Sequence, residues 1–250
     1  MRLLTLDIET KPLTSYHWSL WGQNIGINQI IDGGGLLCFA AKFHGERRIR
    51  FHSEWDDGAK GMARELFKLL DEADAVCGWN SDKFDLRWIN AQFLKHGMGK
   101  PSPYAKVDLM KSVKRQVYLP SFKLDYVARY LEIGQKERTG GFDLWSDVLN
   151  GCEKARRHMK KYNVQDVRLT EQVFDRLNAK GWVLGLPNGA RDGDECCVNP
   201  MCRSEKIQWR GYQVTKTRKY RRFVCRECGT WGQAVHSEPG SARLKGVANG

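Results

Sequence analysis

No stretch of this chain approaches the length of a membrane span. Residues 36–41, Leu-Leu-Cys-Phe-Ala-Ala, are among its longest apolar runs, against the roughly 20 residues a bilayer requires. No membrane partner is therefore expected. The first residues lack an apolar signal core and reach an aspartate at position 7, so a cytoplasmic location is expected. Acidic residues are also in short supply. There are 29 Asp+Glu against 41 Lys+Arg, a net charge of +12 and a pI near 9.4. A chain this basic is expected to meet a polyanion, with nucleic acid the first candidate. Cysteine is sparse at first, with Cys38, Cys77 and Cys152, and then crowded, with Cys196, Cys197, Cys202, Cys225 and Cys228. In a reducing compartment that crowding favours a metal over disulfides.

What remains is ample for a packed core: 41% hydrophobic and 11% aromatic residues in a 250-residue chain. The length suits one medium domain and a small one. Gly185 to Glu195 is rich in glycine and poor in apolar residues, which marks a linker over 185–195. The expected division is a first domain over 1–184, a cysteine-rich module over 196–236 and a basic tail over 237–250. Residues 196–250 carry 11 Lys+Arg against 3 Asp+Glu, so the basic character is concentrated there.

The first domain is organised around Leu4-Thr5-Leu6-Asp7-Ile8-Glu9-Thr10. Strand side chains alternate with period two, so Leu4, Leu6 and Ile8 face one way and Asp7 and Glu9 the other. Two carboxylates side by side repel unless a cation sits between them, and magnesium takes oxygen ligands. One reading is half of a metal site for phosphodiester chemistry. The other is a solvent-facing acidic pair on an edge strand.

Further elements follow in order. Trp18 and Trp21 lie in an irregular segment and read as core packing or as a base-stacking wall. Residues 36–44 read as a buried strand with a hairpin partner over 47–53. Residues 59–73 have helical spacing, and 74–78 form a short strand. At the next strand–helix junction stands Asn80-Ser81-Asp82-Lys83-Phe84-Asp85. Either Asp82 or Asp85 suits the first turn of a helix by its charge; alternatively Asp85 faces the opening strand as a third metal ligand. Asp108 reads as structural and Asp125 as a helix cap. The loop Gln135–Gly141, with Lys136, reads as solvated or as touching a phosphate backbone. The longest helix spans 153–177, with Tyr162, Asp166 and Leu169 on one face. An aspartate buried on such a face must be paired or bound to metal.

In the second module, Cys197-x4-Cys202 and Cys225-x2-Cys228 flank two alternating basic stretches. This is the layout of a zinc ribbon: two cysteine turns closing on one structural zinc ion with a hairpin between. Either Cys196 or Cys197 supplies the first ligand. Arg210, Lys216, Arg218, Lys219, Arg221 and Arg222 lie near Tyr212, Tyr220 and Trp231 and read as a nucleic-acid-binding arm, or else as a solvated hairpin.

Asp7-Ile8-Glu9, Asn80-x3-Phe84-Asp85 and Tyr162-x3-Asp166, in that order, resemble the proofreading-type exonucleases of the ribonuclease H-like superfamily, named for their Asp-Glu-Asp-Asp ligands. The tyrosine subclass fits, since Lys161 stands where the histidine subclass has its histidine. Ser121-Phe122-Lys123-Leu124-Asp125-Tyr126-Val127, followed by Lys136, is similar to the exonuclease domain of family B DNA polymerases and its stand-alone phage and bacterial relatives. The resemblance implies an α/β fold, a mixed central sheet flanked by helices. It further implies two magnesium or manganese ions held by Asp7, Glu9, Asp85 and Asp166, with Tyr162 orienting the attacking water. Asn80, Lys123 and Lys136 would contact the nucleic acid. A bacterial or phage-infected cell is the expected setting, with replication or recombination proteins as partners. The implied activity is 3′→5′ DNA exonuclease. The alternatives are a junction- or flap-specific endonuclease, a ribonuclease, or a non-catalytic nucleic-acid-binding protein.

Overall fold

The computed structural model describes residues 1–136, 140–190, 193–215 and 217–239. Glu137, Arg138 and Thr139 of the expected phosphate-contacting loop, Lys216 of the basic hairpin, and residues 240–250 of the tail lie outside the described residues. The described residues form two compact units, Arg2–Val173 and, from Phe174 onward, the C-terminal part. The strands are β1 (Leu3–Lys11), β2 (Thr14–Ser15), β3 (Ile30–Asp32), β4 (Gly35–Phe43), β5 (Arg50–Ser53), β6 (Ala75–Gly78), β7 (Ala105–Asp108), β8 (Ile207–Val214), β9 (Lys219–Cys225) and β10 (Trp231–Gln233). The helices are α1 (Glu54–Glu72), α2 (Asp85–Lys95), α3 (Leu109–Gln116), α4 (Leu124–Tyr130), α5 (Asp143–Leu149) and α6 (Glu153–Asn178).

The first unit is built on a five-stranded sheet of order β5-β4-β1-β6-β7. Strands β4 and β5 run antiparallel to their neighbours, while β1, β6 and β7 are mutually parallel. The sheet is therefore mixed, as expected. β1 occupies its centre, so the edge-strand reading of the acidic pair is overturned. Central position explains the apolar run at Leu3–Leu6, because the strand is covered on both faces.

On one face, Leu4, Leu6 and Ile8 of β1 and Phe39, Ala41 and Phe43 of β4 pack under Met62, Leu66 and Leu70 of α1 and Leu86, Ile89 and Phe93 of α2. On the other face, Leu37 and Cys38 pack with Leu144 and Val148 of α5 and Ala155 and Met159 of α6. Asp7 lies opposite Ala40 and Glu9 opposite Cys38, and the register slips between Glu9 and Thr10. Such irregularities bend a strand and re-aim its side chains. Here the slip falls directly after Glu9, and pairing resumes with Thr10 opposite Leu36.

Two expectations are corrected. Trp18 and Trp21 do not pack on the core: they are 97% and 86% exposed. The β2–β3 pairing between which they lie is too short to bury them. Asp125 does not cap its helix. Lys123 holds the N-cap position of α4, and Asp125 Oδ1 instead accepts the backbone N–H of Lys136 at 2.9 Å. Asp108 is structural, as expected. It caps α3 through Lys111 N–H and also accepts the N–H groups of Asn80 and Asp82.

The second unit contains the antiparallel sheet β10-β9-β8. A bulge between Trp209 and Tyr212 takes Arg210 and Gly211 out of the regular register with β9. The Trp209 and Phe223 rings meet edge to face at 5.4 Å. Beside them four cysteines converge. A core this small calls for a further tie.

Candidate metal centres and nuclease site

Period-two alternation places Asp7 and Glu9 on the sheet face that α6 covers. α6 contributes Asp166, which is 1% exposed, and Tyr162 one turn earlier. Carboxylate oxygens of Asp7, Glu9 and Asp166 all lie within 4.8 Å of one another. Asp85, in the first turn of α2, turns toward the same strand, and its Oδ1 accepts the Ile8 N–H at 3.2 Å. It stands outside the 4.8 Å group.

Burial pushes the Asp7 carboxyl well above its ordinary value, and repulsion from Glu9, Asp85 and Asp166 adds to the rise. Burial and Asp166 push Glu9 up to about 8. Asp85 rises to about 7 through burial, opposed by N–H donors including Ile8. Burial also raises Asp166, with the Lys136 charge working against it. Each shift records the cost of negative charge held without a matching cation.

Among the described residues, Lys136 supplies a cation to this cluster. Lys136 Nζ stands 2.6 Å from Asp166 Oδ2 and 3.1 Å from the Tyr162 hydroxyl. Burial disfavours its charge, but Asp166 and then Tyr162 hold the ammonium above the usual lysine range. Against the three clustered carboxylates, the Lys136 ammonium alone leaves net negative charge among the described residues. Asp166 Oδ1 is sealed from solvent with no hydrogen bond among the described residues. Hard oxygen donors, clustered and undercompensated, fit a magnesium or manganese ion.

Asn163 went unnoticed in the sequence. Its Nδ2 donates to Asp7 Oδ2 at 2.7 Å and to Asp7 O at 3.2 Å, and the residue is fully buried. Its signal was its spacing, three residues before Asp166 and so on the same helix face.

The remaining sequence-derived positions spread out. Asn80 has a left-handed φ of 61° and lines a cleft of about 430 Å³ with Asp82, Lys83, Arg87 and Lys111. Lys123 is exposed at the start of α4, while Lys136 reaches inward to the carboxylates. Arg210, Arg218, Lys219, Arg221 and Arg222 are exposed on or beside the β8–β9 hairpin.

The second cluster joins Cys197, Cys202, Cys225 and Cys228, whose sulfurs lie within 4.8 Å of one another. The geometry selects Cys197; Cys196 is buried outside the group. All eight cysteines are free thiols. Cys197 and Cys228 sulfurs are 3.5 Å apart, and those of Cys202 and Cys225 3.8 Å. Four sulfurs about 2.3 Å from a tetrahedral zinc would stand about 3.8 Å from each other, so the donor set and spacing fit. Cys197 donates no charge easily, since burial raises its thiol, while Cys202 rises to about 11 for the same reason. At Cys228 burial also opposes ionisation, but hydrogen bonds led by those of Thr230 bring it down to about 7. That thiol is the readiest to bind as a thiolate.

With this geometry established, the family follows. A family model described as RNase_H superfamily matches residues 35–178. The chain belongs to the RNase_H superfamily. Its first unit is an RNase H-like domain. Among solved structures, the family B DNA polymerase from the hyperthermophilic archaeon Pyrobaculum calidifontis shares the fold at 19% identity and a TM-score of 0.56. The match covers 72% of this chain and 25% of the polymerase chain. No curated protein matches. No helix among the described residues is long and apolar enough to cross a membrane.

Proposed function

We propose that this protein is a two-metal-dependent 3′→5′ DNA exonuclease whose basic C-terminal module is a zinc ribbon that holds the substrate. The observation that carries the nuclease reading is the convergence of Asp7, Glu9 and Asp166 from β1 and α6 within 4.8 Å. Likeness to a DNA polymerase supports DNA as substrate, and the tyrosine-type motif supports the exonuclease class.

Asp7, Glu9 and Asp166 would hold the divalent ions, with Asp85 beside them. Bound ions supply Lewis acidity toward a phosphate and lower the pKa of a water. The protein's own groups prepare that chemistry. Asn163 fixes the Asp7 carboxylate, so one of its oxygens is already oriented. Tyr162 remains a phenol, because burial and then Asp166 push its pKa above the usual tyrosine range. It therefore donates a hydrogen bond and orients a water rather than removing its proton. Lys136 offsets charge at Asp166, and its reach past Tyr162 puts an ammonium where a phosphate could pair with it. Asp125 holds the backbone from which Lys136 extends.

A second reading is a junction- or flap-specific endonuclease, favoured by the basic module, because a second binding surface suits branched DNA. One gel separates the readings. Single-stranded, duplex and four-way-junction DNA, all 5′-labelled, are incubated with magnesium or manganese and then without either. A metal-dependent ladder from the 3′ end is expected. Discrete products would favour the endonuclease, and intact DNA under every condition would contradict both.

A further inference from the structure

The three-stranded sheet of the C-terminal unit has two unlike faces. Directly opposed residues share a face, and the register pairs Trp231 with Val224, Gln233 with Arg222, and Gln213 with Tyr220. Gln213, Arg222, Trp231 and Gln233 therefore stand together across three strands. The opposite face carries Phe223, Cys225, Arg221 and Lys219 with Trp209 and Tyr212.

The first face is hollowed. A cavity of about 480 Å³ is lined by Gln213, Arg222, Trp231, Gly232 and Gln233, within the roughly 300–1,000 Å³ of small-molecule sites. Gly232 lines it with backbone alone: it pairs with Phe223, and a Cβ there would meet the Phe223 ring on the opposite face at 2.4 Å, so the position carries no side chain and β10 lies close against β9. Trp231 is 50% exposed. The Arg222 guanidinium lies 5.1 Å and that of Arg210 6.0 Å from its ring centroid. Arg222 is held there by donating from Nε to the Arg210 carbonyl at 2.9 Å.

We propose that this hollow binds one unpaired nucleotide of a single-stranded nucleic acid. An exposed indole offers a flat surface that stacks any base. Gln213 and Gln233 each carry an amide donor and acceptor for the base edge. Two guanidinium groups within 6.0 Å of the ring suit the flanking phosphate, which Arg grips in two-pronged fashion. Charge argues for the occupant: 11 Lys+Arg against 3 Asp+Glu over residues 196–250. A duplex would present its bases stacked and unavailable to the indole, so the strand must be single at this point. The proposal rests on the reading of this module as a nucleic-acid-binding arm.

The test measures binding by fluorescence anisotropy at three salt concentrations, in the full chain made cleavage-silent by Asp7→Ala. Oligothymidylate and oligouridylate are compared with an abasic strand of equal length. Trp231→Ala should weaken binding of a base-bearing strand about 5- to 150-fold, the range for one base stacked on an aromatic side chain. The abasic strand and the salt dependence should be unmoved. Trp231→Phe should restore most of the loss, which a merely unfolded module would not. Base-dependent loss on DNA, RNA or both supports the hollow and says which sugar it accepts. Equal loss on abasic and base-bearing strands, or no loss on either, overturns it. The combined Arg218→Ala, Lys219→Ala and Arg221→Ala variant tests the arm separately. An unchanged salt slope there removes the arm reading even where Trp231 retains its base-dependent effect.

Discussion

Glu9→Gln should make the protein more stable at neutral pH in the absence of divalent metal, and should flatten its pH dependence. The folded Glu9 carboxyl keeps its proton to about pH 8, whereas its ordinary value is 4.5. Between those values the folded state binds more protons than the unfolded one. Unfolding free energy therefore falls as pH rises, with a slope of about 1.4 kcal/mol per pH unit for one proton. From pH 6 to 7.5 the loss amounts to about 2 kcal/mol, or about 4–8 °C in Tm for a chain of this size. Asp7 shifts in the same direction and steepens the fall. Bound Mn2+ should reverse it, with more stabilisation at pH 7.5 than at pH 6, because the ion replaces the protons. The assay is thermal unfolding over pH 5.5–8 in Mg2+- and Mn2+-free buffer without chelator, so that zinc is retained, and then with Mn2+. The reasoning is refuted if wild type and Glu9→Gln share one slope, or if Mn2+ stabilises both equally.

Other perturbations probe the supports of the two centres. Asn163→Ala frees the Asp7 carboxylate and should lower metal affinity or cleavage by about 10–100-fold, as loss of a partner that orients a ligand commonly does; titrating activity against Mg2+ reads the shift. Gly78→Ala places a Cβ 2.6 Å from Ser81 Cβ, at the junction leading to Asp85, and should cost about 1–3 kcal/mol in denaturant unfolding. Cys228→Ser removes the thiol most ready to ionise. It should abolish the binding of one zinc per chain and the ordered near-ultraviolet signal of the C-terminal unit, while Asp7→Ala leaves bound zinc unchanged.

Most of the carboxylate face was legible because it follows from strand parity. The alternation at Leu4–Glu9 separates core from carboxylates wherever the sheet packs, and the four-residue step from Tyr162 to Asp166 forces one helix face. The four-cysteine group was legible for a similar reason, although only geometry distinguishes Cys197 from Cys196. What the sequence hid depended on partners distant along the chain. Asn163 resembles an ordinary polar helix residue until Asp7 is placed against it. Lys136 reads as a loop cation, solvated or touching phosphate, yet it lies on Asp166 and Tyr162, and Asp125 anchors its backbone. Trp18 and Trp21 misled through composition: aromatic bulk predicts burial, but a strand pair of two and three residues has no core to bury them in. The hollow beside Trp231 required the register of three strands, which brings Gln213, Arg222 and Gln233 to its face.

The most direct test of the central claim is cleavage of 5′-labelled single-stranded DNA by Asp7→Ala, with binding of the same strand measured in parallel. The variant should lose detectable hydrolysis with Mg2+ or Mn2+ while its affinity for DNA stays within about twofold of wild type, since binding rests largely on basic residues elsewhere. Cleavage at the wild-type rate by Asp7→Ala would show that the carboxylates of β1 and α6 are not the reacting centre.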